Sequence, residues 1–310
     1  MNPATPQDAP PPGSTDAATP TTFSSPGFGQ PSVPAPASVV DPRRNVPERG
    51  LWVAAGMALV AMAVGGAWFG AWVDGHHLRV TQTEVYAAGS IDFRNLGDHD
   101  VKVVGTDRRD ILVTRTVTWV GSPDAPPTPR EAVTDSTLVI DNPCDSVGLT
   151  CSVDYRIEVP LTAAVHWAAG SGDLYAANVT SVAAKGSSSD ITLREVGTVD
   201  ITTMSGDVDL CGSDNTVVVQ TQSGEVDACD VTGPSAFVTT TSGDVQFDGS
   251  PQIATVRTGS GDVTVTLTAQ ESYAVRATSS SGDVEIEMVP DRTSARSLDV
   301  TTSSGDITVR

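Results

Sequence analysis

From about Leu78 onward, the chain is made of short runs rich in Val, Ile and Thr, separated by Gly, Asp, Ser and Pro. Within these runs apolar and polar residues alternate, which is the pattern of a β-strand with one buried face. No stretch of this region keeps the period of ~3.6 residues that an amphipathic helix needs. The pattern therefore predicts an all-β domain over residues 74–310.

One tetrapeptide, Ser-Gly-acid-aliphatic, recurs through this domain. Successive copies are 17, 17, 18, 19, 18, 21 and 23 residues apart, if the degenerate copy Ser188-Ser189-Asp190-Ile191 is counted. Such a period predicts a β-solenoid with coils of ~18 residues. The glycines and acids of the full copies are Gly172, Asp173, Gly206, Asp207, Gly224, Glu225, Gly243, Asp244, Gly261, Asp262, Gly282, Asp283, Gly305 and Asp306.

Each coil is predicted to consist of two strands joined at the Ser-Gly-acid segment. Apolar residues stand at odd distances before the glycine, as in Val199 and Ile201, and at even distances after it, as in Val208 and Leu210. The alternation is thus reset at Gly206, which predicts a corner where glycine adopts a backbone angle that other residues resist. Residues 89–120 and 137–160 are predicted to form less regular rungs that cap the stack.

The acidic residues of the corners predict a column of carboxylates along the stack, with Asp190 filling the gap between Asp173 and Asp207. One interpretation is that each carboxylate accepts backbone N–H groups at a corner, as Asp does in turns. The alternative is a ladder of calcium ions bridging the stacked carboxylates. We favour the first, because the Gly-Gly-x-Gly-x-Asp pattern of calcium β-rolls is absent from the sequence.

The N-terminal quarter of the chain has a different composition. Residues 1–50 hold 12 of the 21 prolines and predict a disordered tail. Residues 51–73 contain no charge and are long enough for one transmembrane helix, an uncleaved anchor rather than a cleaved signal peptide. Arginines 43, 44 and 49 precede this segment, which predicts a cytoplasmic tail and an extracytoplasmic solenoid. Gly66 and Gly70 form a G-x-x-x-G pair that would permit a homodimer through the membrane.

Charge and cysteine content narrow the choice of partners. The formal net charge is −20, and the only lysines are Lys102 and Lys185. This balance argues against nucleic acid as a partner, because phosphates are bound by clusters of Lys and Arg. Cys211 and Cys229 occupy the same position in consecutive coils, and Cys144 and Cys151 close a short loop. We predict these two disulfides and no zinc site, because no C-x-x-C pair is present.

The sequence contains none of the common catalytic or cofactor motifs, and its four histidines are scattered. The acidic column supplies pairs of carboxylates, but a stack of identical columns gives no reason for one pair to differ from the next. We therefore predict a protein that is not an enzyme and that needs no cofactor or metal.

The order of an apolar anchor, a Cys-x6-Cys hairpin ending at Val159-Pro160, and Ser-Gly-Asp-Val coils resembles the bacterial putative adhesins over roughly residues 80–310. The resemblance implies a β-solenoid at the cell surface and supplies no catalytic residue. We expect a membrane-anchored adhesion, binding or structural module whose partner is an envelope glycan or a surface protein. The alternatives are the sensory ectodomain of an envelope-stress system and, less favoured, a carbohydrate-active β-helix enzyme.

Overall fold

The computed structural model describes residues 77–124, 126–128, 130–142, 144, 151–268 and 272–310. All of them belong to the second of the chain's two units, Ala61–Arg310. Within the described ranges the regular elements are all strands, and no helix is long and apolar enough to cross a membrane. The predicted tail 1–50 and the predicted transmembrane helix 51–73, with Gly66 and Gly70, lie outside the described residues.

The strands follow one another with short connections. Their bounds are β1 (His77–Tyr86), β2 (Ser90–Arg94), β3 (Val101–Thr106), β4 (Ile111–Val120), β5 (Arg130–Thr134), β6 (Thr137–Asp141), β7 (Cys151–Pro160), β8 (Ala164–Ala168), β9 (Leu174–Lys185), β10 (Ile191–Thr202), β11 (Val208–Ser213), β12 (Val217–Ser223), β13 (Val226–Val231), β14 (Ser235–Ser242), β15 (Val245–Gly249), β16 (Ile253–Ser260), β17 (Val263–Leu267), β18 (Ala274–Ser281), β19 (Val284–Ile286), β20 (Ser297–Ser304) and β21 (Ile307–Val309).

The strands form two facing sheets that meet at the Ser-Gly-acid corners. Sheet 1 holds the strands that follow a corner, in the order β1, β4, β7, β3, β9, β10, β11, β13, β15, β17, β21 and β19. Sheet 2 holds the strands that precede a corner, in the order β5, β6, β2, β8, β9, β10, β12, β14, β16, β20 and β18. β9 and β10 are long enough to contribute their first halves to sheet 1 and their second halves to sheet 2.

The core lies between the sheets and is built from the apolar columns that the alternation predicts. Val219, Val238 and Val256 precede their corner glycines by five positions and are at most 1% exposed. Leu210 and Phe247 follow their glycines by four positions and are fully buried. Each such side chain contributes roughly 1.5–3 kcal/mol through burial, so the periodic pattern is also the main source of stability.

The corner glycines are required for two reasons. Gly206 has a φ of 132° and Gly305 a φ of 142°, values that side chains with a Cβ rarely adopt. In addition, a Cβ at Gly206 would lie 2.1 Å from the carbonyl oxygen of Ser189 in the neighbouring coil. The sequence predicted the backbone angle, and the structure adds the close approach between successive corners.

The order of the last two coils differs from the order expected of a solenoid. β20 and β21 lie between the β16–β17 coil and the β18–β19 coil, so the coil that comes later in the sequence is the inner one. Val284 and Ile286 face inward as the alternation predicts, but they are 41% and 37% exposed because their coil ends the stack. The two longest intervals of the repeat, 21 and 23 residues, contain the connections that lead into β18 and β20. Their extra length allows the last two coils to stack in reversed order.

The N-terminal part also corrects the prediction of plain rungs. β2, β3, β6 and β7 pair in parallel as rungs do. β4, however, runs antiparallel to both β1 and β7, and β5 runs antiparallel to β6. A period-2 pattern reports which face of a strand is buried but not its direction, so the sequence missed this antiparallel cap.

Candidate functional site

The predicted acidic residues form one column along the edge where the two sheets meet. In this column the backbone N–H of an acid donates to the Oδ1 atom of the acid in the preceding coil. In the first part of the stack these bonds run from Asp190 to Asp173 (3.1 Å), from Asp207 to Asp190 (3.0 Å) and from Glu225 to Asp207 (2.9 Å). The same bond recurs from Asp262 to Asp244, from Asp306 to Asp262 and from Asp283 to Asp306, each at 2.8 Å. The carboxylates therefore accept backbone N–H groups, but from the neighbouring coil rather than from their own corner.

The column has one more member that the sequence analysis missed. Asp100 Oδ1 accepts the N–H of Asp173 at 3.1 Å, and His99 occupies the position of the corner glycine. The segment Asp98-His99-Asp100-Val101 keeps the acid and the aliphatic residue of the repeat but not its Ser and Gly. This partial match was the signal in the sequence that could have identified Asp100 as a member of the column. Within the described ranges no three His, Cys, Asp or Glu side chains form a metal-binding group.

A groove of about 770 Å³ lies on the outer face of sheet 1, at the start of this column. Its charged lining consists of two groups set side by side. Four carboxylates come from the column and its neighbour β7, and three cations come from the outward positions of β1, β3 and β7. These residues are Asp100, Asp154, Asp173 and Asp190, and Arg79, Lys102 and Arg156, with Tyr175 beside them.

The cations of the groove are placed by strand register. Lys102 of β3 pairs directly with Arg156 of β7 on one side and with Tyr175 of β9 on the other. The Lys102 Nζ atom lies 4.5 Å from the centroid of the Tyr175 ring, a cation–π contact that fixes the ammonium group. Like charges on directly paired residues are unfavourable, so an anion bound between Lys102 and Arg156 would relieve their repulsion.

Some arginines elsewhere in the described chain form ion pairs with acids. Arg194 binds Asp209 through both ends of its guanidinium group, and Arg94 lies 2.7 Å from Asp92. By contrast, Arg79, Lys102 and Arg156 make no ion pair within the part of the chain that the structure describes. The groove thus brings three cations without an ion pair together beside four carboxylates.

A second polar cluster is buried between the antiparallel strands of the cap. Arg115 of β4 is 2% exposed and contacts Glu131 Oε2 at 2.7 Å, Glu84 Oε1 at 2.8 Å and Gln82 Oε1 at 2.8 Å. The Tyr86 hydroxyl, which has one proton to donate, lies within hydrogen-bond distance of a carboxylate oxygen of both Glu84 and Glu131. Burial raises the pKa of Glu131, whereas the hydrogen bonds from Tyr86 and Arg115 lower the pKa of Glu84.

This cluster is closed rather than open to ligand, because Glu131 and Arg115 are both buried. The sequence analysis missed it, although one signal was present. In β4 the inward positions are Ile111, Val113, Arg115, Val117 and Trp119, so a single charge interrupts an apolar face. A buried Arg of this kind requires acidic partners, which only the folded chain identifies.

The four cysteines form two disulfides. Cys211 and Cys229 are register partners in β11 and β13, and their Cα atoms are 4.5 Å apart. Cys144 and Cys151 are joined across a Cα distance of 5.6 Å. These are the two pairs expected from the sequence.

The repeat region, residues 155–310, matches a family described as Toastrack DUF4097. The chain belongs to this family. The adhesin-like family resemblance expected from the sequence is therefore confirmed at the level of the Toastrack domain, and no curated protein matches the chain significantly.

Solved structures similar to the Toastrack chain share little sequence with it. A putative adhesin from Bacteroides fragilis is 14% identical, with a TM-score of 0.47, and the alignment covers 74% of this chain and 97% of that one. A putative cell adhesion protein from Clostridium sporogenes is also 14% identical, with a TM-score of 0.28 over 75% of this chain and 99% of that one. A putative adhesin from Parabacteroides merdae is 11% identical, with a TM-score of 0.34 over 75% and 96% of the two chains.

Proposed function

We propose that this Toastrack protein is a non-enzymatic binding module at the cell surface, and that its groove holds an acidic glycan of the cell envelope. The observation that carries the proposal is the pair of adjacent cations, Lys102 and Arg156, neither of which forms an ion pair with an acid of the described chain. A carboxylate or phosphate placed between them would relieve their repulsion and accept charge-assisted hydrogen bonds from both.

The carboxylates beside the cations suit the rest of such a ligand. Asp100, Asp173 and Asp190 each use one oxygen for the N–H of the next coil, which leaves the other oxygen to accept sugar hydroxyl groups. All three make the same bond in the same surroundings, so nothing assigns one of them as an acid and another as a base. The groove therefore supports binding rather than glycoside hydrolysis.

Location is the second part of the proposal. The uncharged segment 51–73 would anchor the protein in the membrane, and the three arginines before it would keep residues 1–50 in the cytoplasm. The Toastrack domain would then face the envelope, where acidic glycans are available. Membership of the Toastrack family supports a non-enzymatic surface role at this coarse level.

The test compares a uronic-acid oligosaccharide with the same oligosaccharide after its carboxyl groups have been reduced to alcohols. The full-length protein should bind the acidic form more tightly, and Lys102→Ala or Arg156→Ala should each weaken that binding about tenfold, or ~1.4 kcal/mol. Lys185→Ala is the matched control, because Lys185 is the other lysine of the chain and does not line the groove.

Isothermal titration calorimetry on the four proteins measures these affinities. Equal binding of the acidic and the reduced oligosaccharide would contradict the proposal. So would an equal loss of affinity in Lys185→Ala, because the effect would then be one of general charge.

A further inference from the structure

The two ends of the stack are finished in different ways. At the N-terminal end the last strand of sheet 1 is β1, which runs antiparallel and turns the polar residues Gln82 and Glu84 toward Arg115. Inward-pointing charge on an edge strand is a known protection against pairing with other chains. At the other end the last strand of sheet 1 is β19, an ordinary parallel rung.

β19 is an ordinary strand of the sheet on one side and has no partner strand among the described residues on the other. Among the described residues β19 pairs with β21 alone, and its inward side chains Val284 and Ile286 are 41% and 37% exposed. Their register partners Ile307 and Val309 are at most 1% exposed, because another strand covers them. Asp283 is the last acid of the column. Its N–H donates to Asp306, but no further coil of the described chain donates an N–H to its own carboxylate.

The outward side of the same edge is strongly acidic. Asp283, Glu285 and Glu287 stand at alternate positions, all are exposed, and none makes an ion pair within the described ranges. A second copy paired antiparallel on β19, with apolar residues facing inward, would place acid opposite acid. Like charges directly opposite each other are destabilising, so charge selects against self-pairing at this edge.

We propose that the β19 edge is a docking site for an extended segment of another protein, one in which basic and apolar residues alternate. The segment adds a strand to sheet 1, its apolar side chains cover Val284 and Ile286, and its basic side chains lie opposite Glu285 and its acidic neighbours. The backbone hydrogen bonds of the added strand supply affinity, and the acidic row supplies selectivity. This site lies at the opposite end of sheet 1 from the glycan groove and does not depend on it.

Three synthetic peptides test the proposal against the full-length protein. Acetyl-Thr-Val-Lys-Val-Lys-Val-Thr-amide is expected to bind, its Glu-for-Lys counterpart is expected to bind at least about tenfold more weakly, and a version with a central Pro is expected not to bind. Hydrogen exchange should show new protection at residues 284–286 when the first peptide is added.

Two variants localise the effect. Glu285→Lys should reverse the preference, so that the Glu peptide becomes the better ligand. Thr308→Lys places a lysine on the same face one strand further in, where Thr308 is the register partner of Glu285, and should change affinity by less than about threefold.

Several results would overturn the proposal: equal binding of the Lys and Glu peptides, binding of the Pro peptide, or an unchanged preference in Glu285→Lys. A concentration-dependent dimer that Ile286→Asp dissolves would also overturn it, because the occupant of the edge would then be a second copy of this chain.

Discussion

Arg115 occupies a position that the rest of β4 fills with apolar side chains. Its guanidinium group is held by Glu131, Glu84 and Gln82, so the charge is compensated where it is buried. Removal of one partner from a buried ion pair commonly costs ~3–5 kcal/mol, because the other charge is left uncompensated. The cluster therefore fixes the antiparallel cap in one arrangement, and it does so with polar groups rather than with additional apolar area.

Tyr155 lies near this cluster and makes the free energy of unfolding depend on pH. Burial, together with the negative charge of Glu131, raises the pKa of Tyr155 above its ordinary value of 10.0. Above pH 10 the unfolded chain loses the Tyr155 proton while the folded chain keeps it. The unfolded state then binds fewer protons, so the free energy of unfolding falls as the pH rises, by at most ~1.4 kcal/mol per pH unit for this group.

We expect Tyr155→Phe to reduce this slope. The Tyr155 hydroxyl has no hydrogen-bond partner in the described part of the chain, so the substitution should change stability at pH 7 by less than ~1 kcal/mol. Urea unfolding on both sides of pH 10 measures the effect. Some slope remains because burial also raises the pKa of Tyr86, and a slope equal to that of the wild type would show that Tyr155 titrates alike in both states.

At the scale of the element, the coil is defined by its corner. A Cβ at Gly261 would lie 2.2 Å from the carbonyl oxygen of Gly243 in the preceding coil. Thr258 belongs to a column of buried threonines that stand three positions before the corner glycines, with Thr203, Thr221, Thr240 and Thr302. Its hydroxyl donates to that same carbonyl of Gly243 at 3.2 Å, so the threonine column and the glycine column meet at one atom. The corner is thus a contact between coils as well as a turn within one.

Gly261→Ala should therefore destabilise the protein by ~2–4 kcal/mol, because the added methyl group clashes with backbone and the φ of 144° is unfavourable for Ala. Gly89→Ala is the control. A Cβ at Gly89 meets no atom within 4 Å, so this substitution should stay within ~0.5 kcal/mol of the wild type. Chemical denaturation of both variants gives the comparison, and equal losses would mean that the corners do not approach as closely as described.

Sequence patterns predict such a coil well because its determinants are local. Val256 and Gly261 are five positions apart, and the spacing alone assigns one to the core and the other to the corner. The order of coils is not local. Val275 and Val284 occupy the same repeat positions as Leu298 and Ile307, so both coils carry the same stacking pattern and nothing in it says which is the inner one. The paired cations of the groove were missed for a similar reason, since Lys102 and Arg156 become neighbours only through the pairing of β3 with β7.

At the scale of the whole molecule, the stack has a direction. Along the acidic column every N–H donor belongs to the coil nearer the β19 end, and every acceptor to the coil nearer the cap. At the cap end the groove combines three cations with four carboxylates, whereas the outward residues Asp283, Glu285 and Glu287 of the β19 edge are all acidic. The two ends therefore offer different charge patterns to partners.

Removal of residues 297–310 should disturb more than one rung. β20 and β21 separate β16–β17 from β18–β19, so their loss leaves residues 274–286 without the strands on which they pack. In hydrogen exchange and limited proteolysis, residues 274–286 should lose their protection in the truncated protein. Retained protection of 274–286 would instead indicate that this coil can stack directly on β16–β17, as it would in a solenoid built in sequence order.

The exchanged coils also bear on how the protein is made. Chains emerge from the ribosome with their N-terminal residues first, and repeat proteins can add one unit after another as they emerge. Here the β18–β19 coil emerges before β20 and β21, the strands with which it pairs, so it has no final place to occupy until the later coil has been synthesised. The last coil in the sequence is therefore inserted between two earlier coils rather than added beyond them. Until it has been synthesised, residues 274–286 lack the strands on which they pack, so we expect proteases to reach them in the nascent chain.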